Sequence, residues 1–504
     1  MPRIPTADLL DTLLDAESWR SWDAPVVDPP GSPQYRAELT EARAETGTDE
    51  SVTTGSGRVS GVAVAVVAGN FDFLAGSVGA AAADRIVAAF DRATALGLPV
   101  LGLPTSGGTR MQEGTPAFLR MAGIAGAVRA HATAGLPYLV YLRHPTTGGV
   151  FATWGSLGDV TFAQPDSLTG FLGPRVYEGL YGESFPGGVQ SGEGLTEAGV
   201  IDGVATPSQW RDIVARVLAV WRGRPDAGVA PPGWESPSPD VTHPPSNKAP
   251  ERDPAGLEAT AWEVIERTRD PARTGAAALI DDLPGAVELS GTLAGERAAA
   301  TRLWLVTLDG TGCVVIAQDR ARQEQCRARG AALGITAADL RVARRGMMLA
   351  ERWALPLVTI VDTQGAELSP AAERGALAGE IARCLADLMH LRTATVSVLL
   401  GGGGGGGALA LLPADRTLAA SDAWVTPLPV EGASLISHRT PDRAAEIAEQ
   451  QHIRATDLAH AGAVDRIVVA PTDDVGAWRE VLAEEVSRAA AAGAGPLPRR
   501  WPGG

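Results

Sequence analysis

Two glycine turns hold the residues most suited to chemistry in this chain. Gly148 and Gly149 follow an apolar run, Tyr138 to Leu142, and precede a predicted helix starting near Phe151. Gly401 to Gly407 follow a second apolar run, Thr395 to Leu400, and form a predicted turn that leads through Ala408 into Leu409. A residue without a Cβ lets the backbone approach a ligand closely. The N–H groups at a helix start then point outward as donors. Two such donors aimed at one oxygen make an oxyanion hole, worth about 3 kcal/mol per donor in the transition state. The competing reading is a flexible turn or a tight strand–helix packing. Two sites at matching positions of a repeat favour chemistry. The tract 401–407 also satisfies GxGxxG, but trivially, and no acidic residue ends a following strand as a dinucleotide site requires.

Other chemistries lack their residues. No serine sits in GxSxG. The seven histidines (His131, His144, His243, His390, His438, His452 and His460) fall in neither HxH nor HExxH spacing, so no histidine metal site is expected. His452 and His460 lie about two helical turns apart, a spacing that puts both on one helix face; surface or capping roles are expected. Cys313, Cys326 and Cys384 form no CxxC, which excludes a zinc ribbon and a disulfide framework. Lysine occurs once, at Lys248. A Walker-type phosphate loop and a buried Schiff-base lysine are therefore both missing.

The elements that must position the turns follow from periodicity. Short apolar strands alternate with Ala-rich helices: Val62 to Val67, Ala80 to Leu96, Val100, Ala117 to Ala134. That alternation argues βαβ units and an α/β fold. The halves of the chain also match each other. Leu98-Pro99-Val100 pairs with Leu355-Pro356-Leu357, and Ala198 to Asp202 pairs with Ala461 to Asp465. The offset is 257 residues early and 263 late, which argues duplication. A run rich in Pro, Gly and Ser separates the halves and cannot hold a helix or central strand. The organisation expected is residues 1–222, a linker 223–254, and residues 255–504.

At 504 residues and 45% hydrophobic content, the chain is long enough for two or three folded domains. Its formal net charge of −16 repels phosphate backbones, so nucleic acid is not an expected partner. No stretch approaches the length of a membrane span and no signal peptide is evident, so a cytoplasmic location is expected.

At these residues a family resemblance becomes specific. The first half resembles the β subunit of acetyl-CoA carboxylase carboxyltransferase in Leu74 to Gly79, Ser106 to Gly114 (SGGTRMQEG), Pro145 to Val150 (PTTGGV), Asp166 to Val176 and Leu195 to Asp202. The second half is similar to the α subunit in Val287 to Leu289, Asp362 to Ala366, the glycine tract into Ala408-Leu409-Ala410, and Pro429 to Ala433. The resemblance runs from about Leu9 to Val468 apart from the linker. It implies two tandem crotonase-like (ClpP/crotonase) domains and carboxyl transfer from carboxybiotin to acetyl-CoA or a short homologue such as propionyl-CoA. In that chemistry a biotin nitrogen left by CO2 release takes the α-proton of the thioester, and the enolate attacks CO2. No side-chain base is needed, in keeping with the absence of one.

The resemblance assigns roles residue by residue. Gly148 and Gly149 become the hole for the acyl-CoA thioester, and Gly407 with Ala408 the hole for biotin, beside Gly406. Gly107, Gly108, Arg110 and Gln112 become loop residues on the CoA side; a salt bridge within the loop is an equally good reading of Arg110. Gly76 and Gly79 match the turn where CoA is laid down, while Asp362 and Gly365 shape the biotin pocket. The implied partners are a biotin carboxylase and a biotin carboxyl carrier protein, in a homodimer or a trimer of dimers with each site between the first half of one protomer and the second half of another. No metal is implied.

Three departures from the family pattern stand in this sequence. The four-cysteine ribbon is missing, Gln364 replaces a usual proline, and the glycine tract lacks an interrupting Ser or Thr, which makes it entropically costly to order. Two other readings stay open. One is a CoA-ester decarboxylase, or a hydratase using Glu178 and Glu183. The other is a non-catalytic scaffold. Lys248 lies in Pro-Pro-Ser-Asn-Lys-Ala-Pro with no flanking Met, so biotin must ride on a separate protein. The chain co-expressed with a biotin ligase is expected to give no streptavidin signal on a blot, while its carrier protein does.

Overall fold

A computed structural model describes residues 3–26, 32–171, 177–179, 182–225, 259–270, 273–328, 334–469 and 471–492. The expected linker lies largely outside the described residues, as does Lys248. The chain divides into two compact units. One comprises Met1–Leu218 with Leu289–Arg297; the other comprises Ala219–Glu288 with Ala298–Gly504. Leu289–Arg297 thus returns to the first unit, an exchange that the repeat pattern does not show.

The first unit contains β1 (Arg20–Ser21), β2 (Val52–Val59), β3 (Val62–Gly69), β4 (Val100–Leu103), β5 (Tyr138–Leu142), β6 (Thr146–Thr147), β7 (Val160–Ala163), β8 (Thr169–Gly170) and β9 (Gly203–Val204). Its main sheet has the order β1-β2-β3-β4-β5-β7-β9, and β6 pairs β8 separately. The β1–β2 and β2–β3 pairs are antiparallel. From β3 onward every pair is parallel. The crossover helix Ala80–Ala95 buries Ala82, Ala83, Ile86, Ala89, Phe90 and Ala93, the 3–4 spacing of one apolar face.

The second unit contains β10 (Val287–Leu289), β11 (Thr301–Leu308), β12 (Thr311–Gln318), β13 (Leu357–Thr363), β14 (Thr395–Gly404), β15 (Arg416–Ala420), β16 (Trp424–Thr426) and β17 (Arg466–Val468). Its sheet runs β10-β11-β12-β13-β14-β15-β17, with β16 also on β14. The helix Ala337–Trp353 starts in a capping box between Thr336 and Asp339.

The duplication holds in hydrogen-bond register. Val100 stands opposite Tyr138 in the first sheet, and Leu357 opposite Thr395 in the second, both pairs 257 positions apart. The two aspartates of the late repeat do the same work. Asp202 accepts the Thr161 amide at 2.9 Å and Asp465 accepts the Thr417 amide at 2.7 Å.

Three expectations are corrected. The helix after the first glycine turn begins at Gly148, not near Phe151. Gly401 to Gly404 are strand, not turn, and the helix Gly405–Leu409 follows directly. Gly402 to Gly404 pair with Trp424 to Thr426, and a Cβ on Gly402 would meet the Trp424 ring at 3.0 Å. Glycine is used there for close packing, against its low strand propensity. His452 and His460 do not share a helix face. His452 has φ +53° and separates the helices Ala444–Gln450 and Ala455–His460.

His131 lies in the core of the first unit. It is fully buried, bonded to Thr94 Oγ1 at 2.9 Å and set edge-on to Phe90 at 5.7 Å. Burial pushes its pKa down to about 4. The unfolded chain, with a value near 6.5, therefore binds a proton between roughly pH 6.5 and 4 that the folded chain refuses. Stability is expected to fall across that window as pH falls, by about 3 kcal/mol in full. Urea unfolding at pH 7 and pH 4.5 should show a smaller loss for His131→Phe than for the parent chain.

Candidate active site

The first glycine turn is built where β4 and β5 end. Ser106 Oγ accepts the Gly108 amide at 2.9 Å, closing a tight turn with Gly108 at φ +118°. The Gly107 amide donates to the Ala75 carbonyl at 2.9 Å. The Ser106 amide donates to the Pro145 carbonyl, and the Thr147 amide to the Ser106 carbonyl, at 2.8 and 2.9 Å. These bonds lace Ser106–Gly108 to the segment leading into Gly148. Gly148 has φ +64°, and a Cβ there would stand 3.3 Å from Gly108 Cα. Only glycine meets both demands.

The turn opens the helix Gly148–Phe151. The Gly148 amide donates to the Phe171 carbonyl at 3.0 Å, so it does not face a ligand. Gly149 is the second helical residue, a position without an intrahelical acceptor. Val150 and Phe151 anchor the helix, both buried.

The second unit repeats this construction. Thr363 Oγ1 accepts the Gly365 amide at 3.1 Å, with Gly365 at φ +133°. The Ile335 amide donates to the Gly365 carbonyl, as the Val78 amide does to the Gly108 carbonyl. Gly405, at φ +54°, opens the helix Gly405–Leu409. Every pair of these positions is 257 residues apart, so Gly405 answers Gly148 and Gly406 answers Gly149. Gly405 to Gly407 are the helical residues without an intrahelical acceptor; Ala408 is the first that has one. Ala408 is also fully buried. A Cβ on Gly407 would come within 2.9 Å of the Ala366 amide nitrogen.

The other expected residues divide into two groups. Gln112 is exposed and bonded to Glu38 at 2.9 Å. Arg110 is fully buried and does not reach outward. It pairs with Glu50 and lies 3.5 Å from Glu113. It also donates to Ser51 Oγ at 3.1 Å and to the Ser77 carbonyl at 2.7 Å. Burial opposes its charge, but the Glu50 carboxylate outweighs that and holds its pKa up. Of the two readings of Arg110, the internal ion pair is the one present. Gly79 caps the helix Ala80–Ala95, yet the Glu113 carboxylate already accepts the Ala80 amide at 2.7 Å. That helix start serves Glu113. Gly76, at φ +62°, packs directly on the Thr105 carbonyl. Asp362 is buried and bonded to Arg273 at 3.1 Å and to the Gly402 amide at 3.2 Å. Burial raises its pKa, with Arg273 opposing. It holds β14 in place.

Glu178 and Glu183 are both exposed, without the buried pairing a hydratase needs. Among the described residues no group of three or more His, Cys, Asp or Glu is arranged to hold a metal ion, and no helix is long and apolar enough to cross a membrane. Cys313 and Cys384 are buried, with thiol pKa values pushed up to about 12.

Residues 11–500 match the model of the carboxyl transferase domain. The chain belongs to this family, as a biotin-dependent acyl-CoA carboxyltransferase. It is 51% identical, over 93% of its length and 90% of the relative's, to a probable biotin-dependent acyl-coenzyme A carboxylase beta3 subunit of Mycobacterium tuberculosis. It is 33% identical, over 98% of its length and 86% of the other, to the acetyl-coenzyme A carboxylase carboxyl transferase subunits beta/alpha of Saccharopolyspora erythraea. The crystal structure of transcarboxylase 12S with methylmalonyl-coenzyme A bound shares the fold, with a TM-score of 0.76 over 98% of this chain and 91% of that one, at 20% identity. The two units of this carboxyltransferase are thus tandem crotonase-like domains.

Sequence reasoning missed the partners that hold the carboxyltransferase turns. Glu50 and Tyr35 converge on Arg110, beside the Glu113 of its own loop that the salt-bridge reading allows for, and Gln318 and Gln323 reach the second turn. Nothing in their spacing marks them; Glu50 and Arg110 are 60 residues apart. Arg110→Ala leaves Glu50 buried without its cation and is expected to destabilise the protein by about 3–5 kcal/mol. Urea unfolding measures this. A raised KM for the CoA ester with unchanged stability would instead return Arg110 to the ligand surface.

Proposed function

We propose that this chain moves the carboxyl group from carboxybiotin, carried on a separate protein, to acetyl-CoA or a short acyl-CoA such as propionyl-CoA. The observation that carries this reading is the doubled glycine turn, with donors of the same kind at the same repeat positions. Carboxyl transfer develops two oxyanions, the thioester enolate and the biotin ureido oxygen, and each calls for amide donors.

In this reading the Gly149 amide is the donor to the thioester oxygen. Gly148 supplies the turn's positive φ and Gly108 the space beside it. The second hole consists of the Gly406 and Gly407 amides, with Ala408 as the small buried residue behind them. Asp362 and Gly365 fix the strand end and turn from which they project. Gly107 and Gln112 stay as the CoA-side surface, while Gly76 and Gly79 shape the backbone next to it. Carboxybiotin supplies both CO2 and, once CO2 has left, the base for the α-proton; the protein supplies donors and excludes water.

The partners proposed are a biotin carboxylase and a biotin carboxyl carrier protein, within a homo-oligomer, a dimer or a trimer of dimers. Exposed apolar side chains support self-association. Met111 and Leu368, 257 positions apart, are each 82% exposed, and Phe118 and Leu119 are exposed near the first. A malonyl-CoA product, a place in fatty acid synthesis and a cytoplasmic setting complete the proposal.

The reverse reaction tests it, with malonyl-CoA or methylmalonyl-CoA and free biotin as substrates. Biotin-dependent loss of the CoA ester is expected, and the preferred ester identifies the acyl group. A Cβ on Gly149 would lie 3.0 Å from Thr109 Oγ1, so Gly149→Val is expected to lower kcat by about 100-fold or more. Biotin-independent turnover would support a decarboxylase. No turnover even with a biotinylated carrier protein would support a scaffold.

A further inference from the structure

A helix of three glycines, one alanine and one leucine has few side chains to hold it. In the first unit the equivalent helix is pinned by the buried Val150 and Phe151. The helix Gly405–Leu409 offers only Ala408, since Leu409 is turned outward and 39% exposed. Its backbone is held at one end by the Ala410 amide, which donates to the Gly406 carbonyl at 3.1 Å. The next carbonyl, that of Gly407, is left over by the helix. The Leu411 amide that would reach it turns to the Ala408 carbonyl instead.

A side chain from another strand fills the gap. Gln318, the last residue of β12, is fully buried, and its Nε2 donates to the Gly407 carbonyl at 2.6 Å. Its Oε1 is buried with no hydrogen-bond partner among the described residues. A buried amide oxygen without a donor works against stability, so the fold alone gives a poor reason for a glutamine here. Gln323 holds the facing wall through Thr363 Oγ1 at 3.2 Å.

We infer that Gln318 is a positioning residue for the second oxyanion hole. Its grip on the Gly407 carbonyl fixes the rotation of the glycine helix and so aims the Gly406 and Gly407 amides. The inference rests on the reading of that helix as the biotin-side hole.

The test is reverse-reaction kinetics on the full chain with malonyl-CoA and free biotin, comparing the parent with Gln318→Met and Gln318→Glu. Methionine keeps the volume and removes the donor. It is expected to lower kcat at least tenfold, to leave KM for the CoA ester unchanged and to leave the thermal midpoint unchanged. Glutamate places an acceptor against the carbonyl and is expected to lower kcat further. A methionine variant with parental kcat would overturn the inference. So would equal changes in kcat and in KM for the CoA ester, or a variant that fails to fold by circular dichroism, since each makes Gln318 structural. A parent without biotin-dependent turnover would remove the biotin-side hole itself, and this inference with it. An active parent beside an unaffected variant would remove only the role of Gln318.

Discussion

The structure depends on contact between backbones with no Cβ between them. At the ends of β4 and β5 the Gly108 and Gly148 backbones nearly touch, and at the ends of β13 and β14 the same is true of Gly365, Gly404 and Gly407. Such contact brings helix N–H groups to the rim of a parallel sheet, where open α/β sheets bind ligands. Side chains then serve the backbone. Ser106 and Thr363 close the turns, and Asp362 fixes the strand behind. Around both turns the hydroxyls of Ser106 and Thr363 and the carboxylate of Asp362 face inward, onto the backbone.

Duplication gives this arrangement its accuracy. Strand register, the hydroxyl that closes each turn and the glycine of positive φ that opens each helix recur at one offset. The copies differ in their anchoring. The first helix is pinned by apolar side chains and the second by a hydrogen bond to its main chain. The first turn also leans on a buried charge cluster of Arg110, Glu50 and Glu113, and the second on the buried Arg273–Asp362 pair together with Gln318 and Gln323.

Much of the fold was legible because it rests on local pattern. The strand Tyr138–Leu142 appears as an apolar run with the limits found, and the helix Ala80–Ala95 differs by one residue from the run that announces it. Asp202 and Asp465 stand at matched places in the sequence and make matched bonds. What was not legible rests on distant partners. Gly402 to Gly404 act as strand because Trp424 to Thr426 pair with them, which overrides their propensity. The start of the helix at Gly148 depends on a bond to Phe171. The inward turn of Arg110 depends on Glu50, 60 residues away, and the burial of His131 on Phe90 and Thr94.

The glycine tract has a consequence for how this gene can change. Seven identical residues look like a spacer whose length is free to drift. Here the run is divided in the middle: four residues belong to a paired strand and three to a helix. Losing or gaining one glycine would either shift the strand against Trp424 by one place, reversing its faces, or move the helix start away from Gln318. The number of glycines is therefore as constrained as their identity, and length variation in this tract would be selected against even though each residue looks interchangeable with the next.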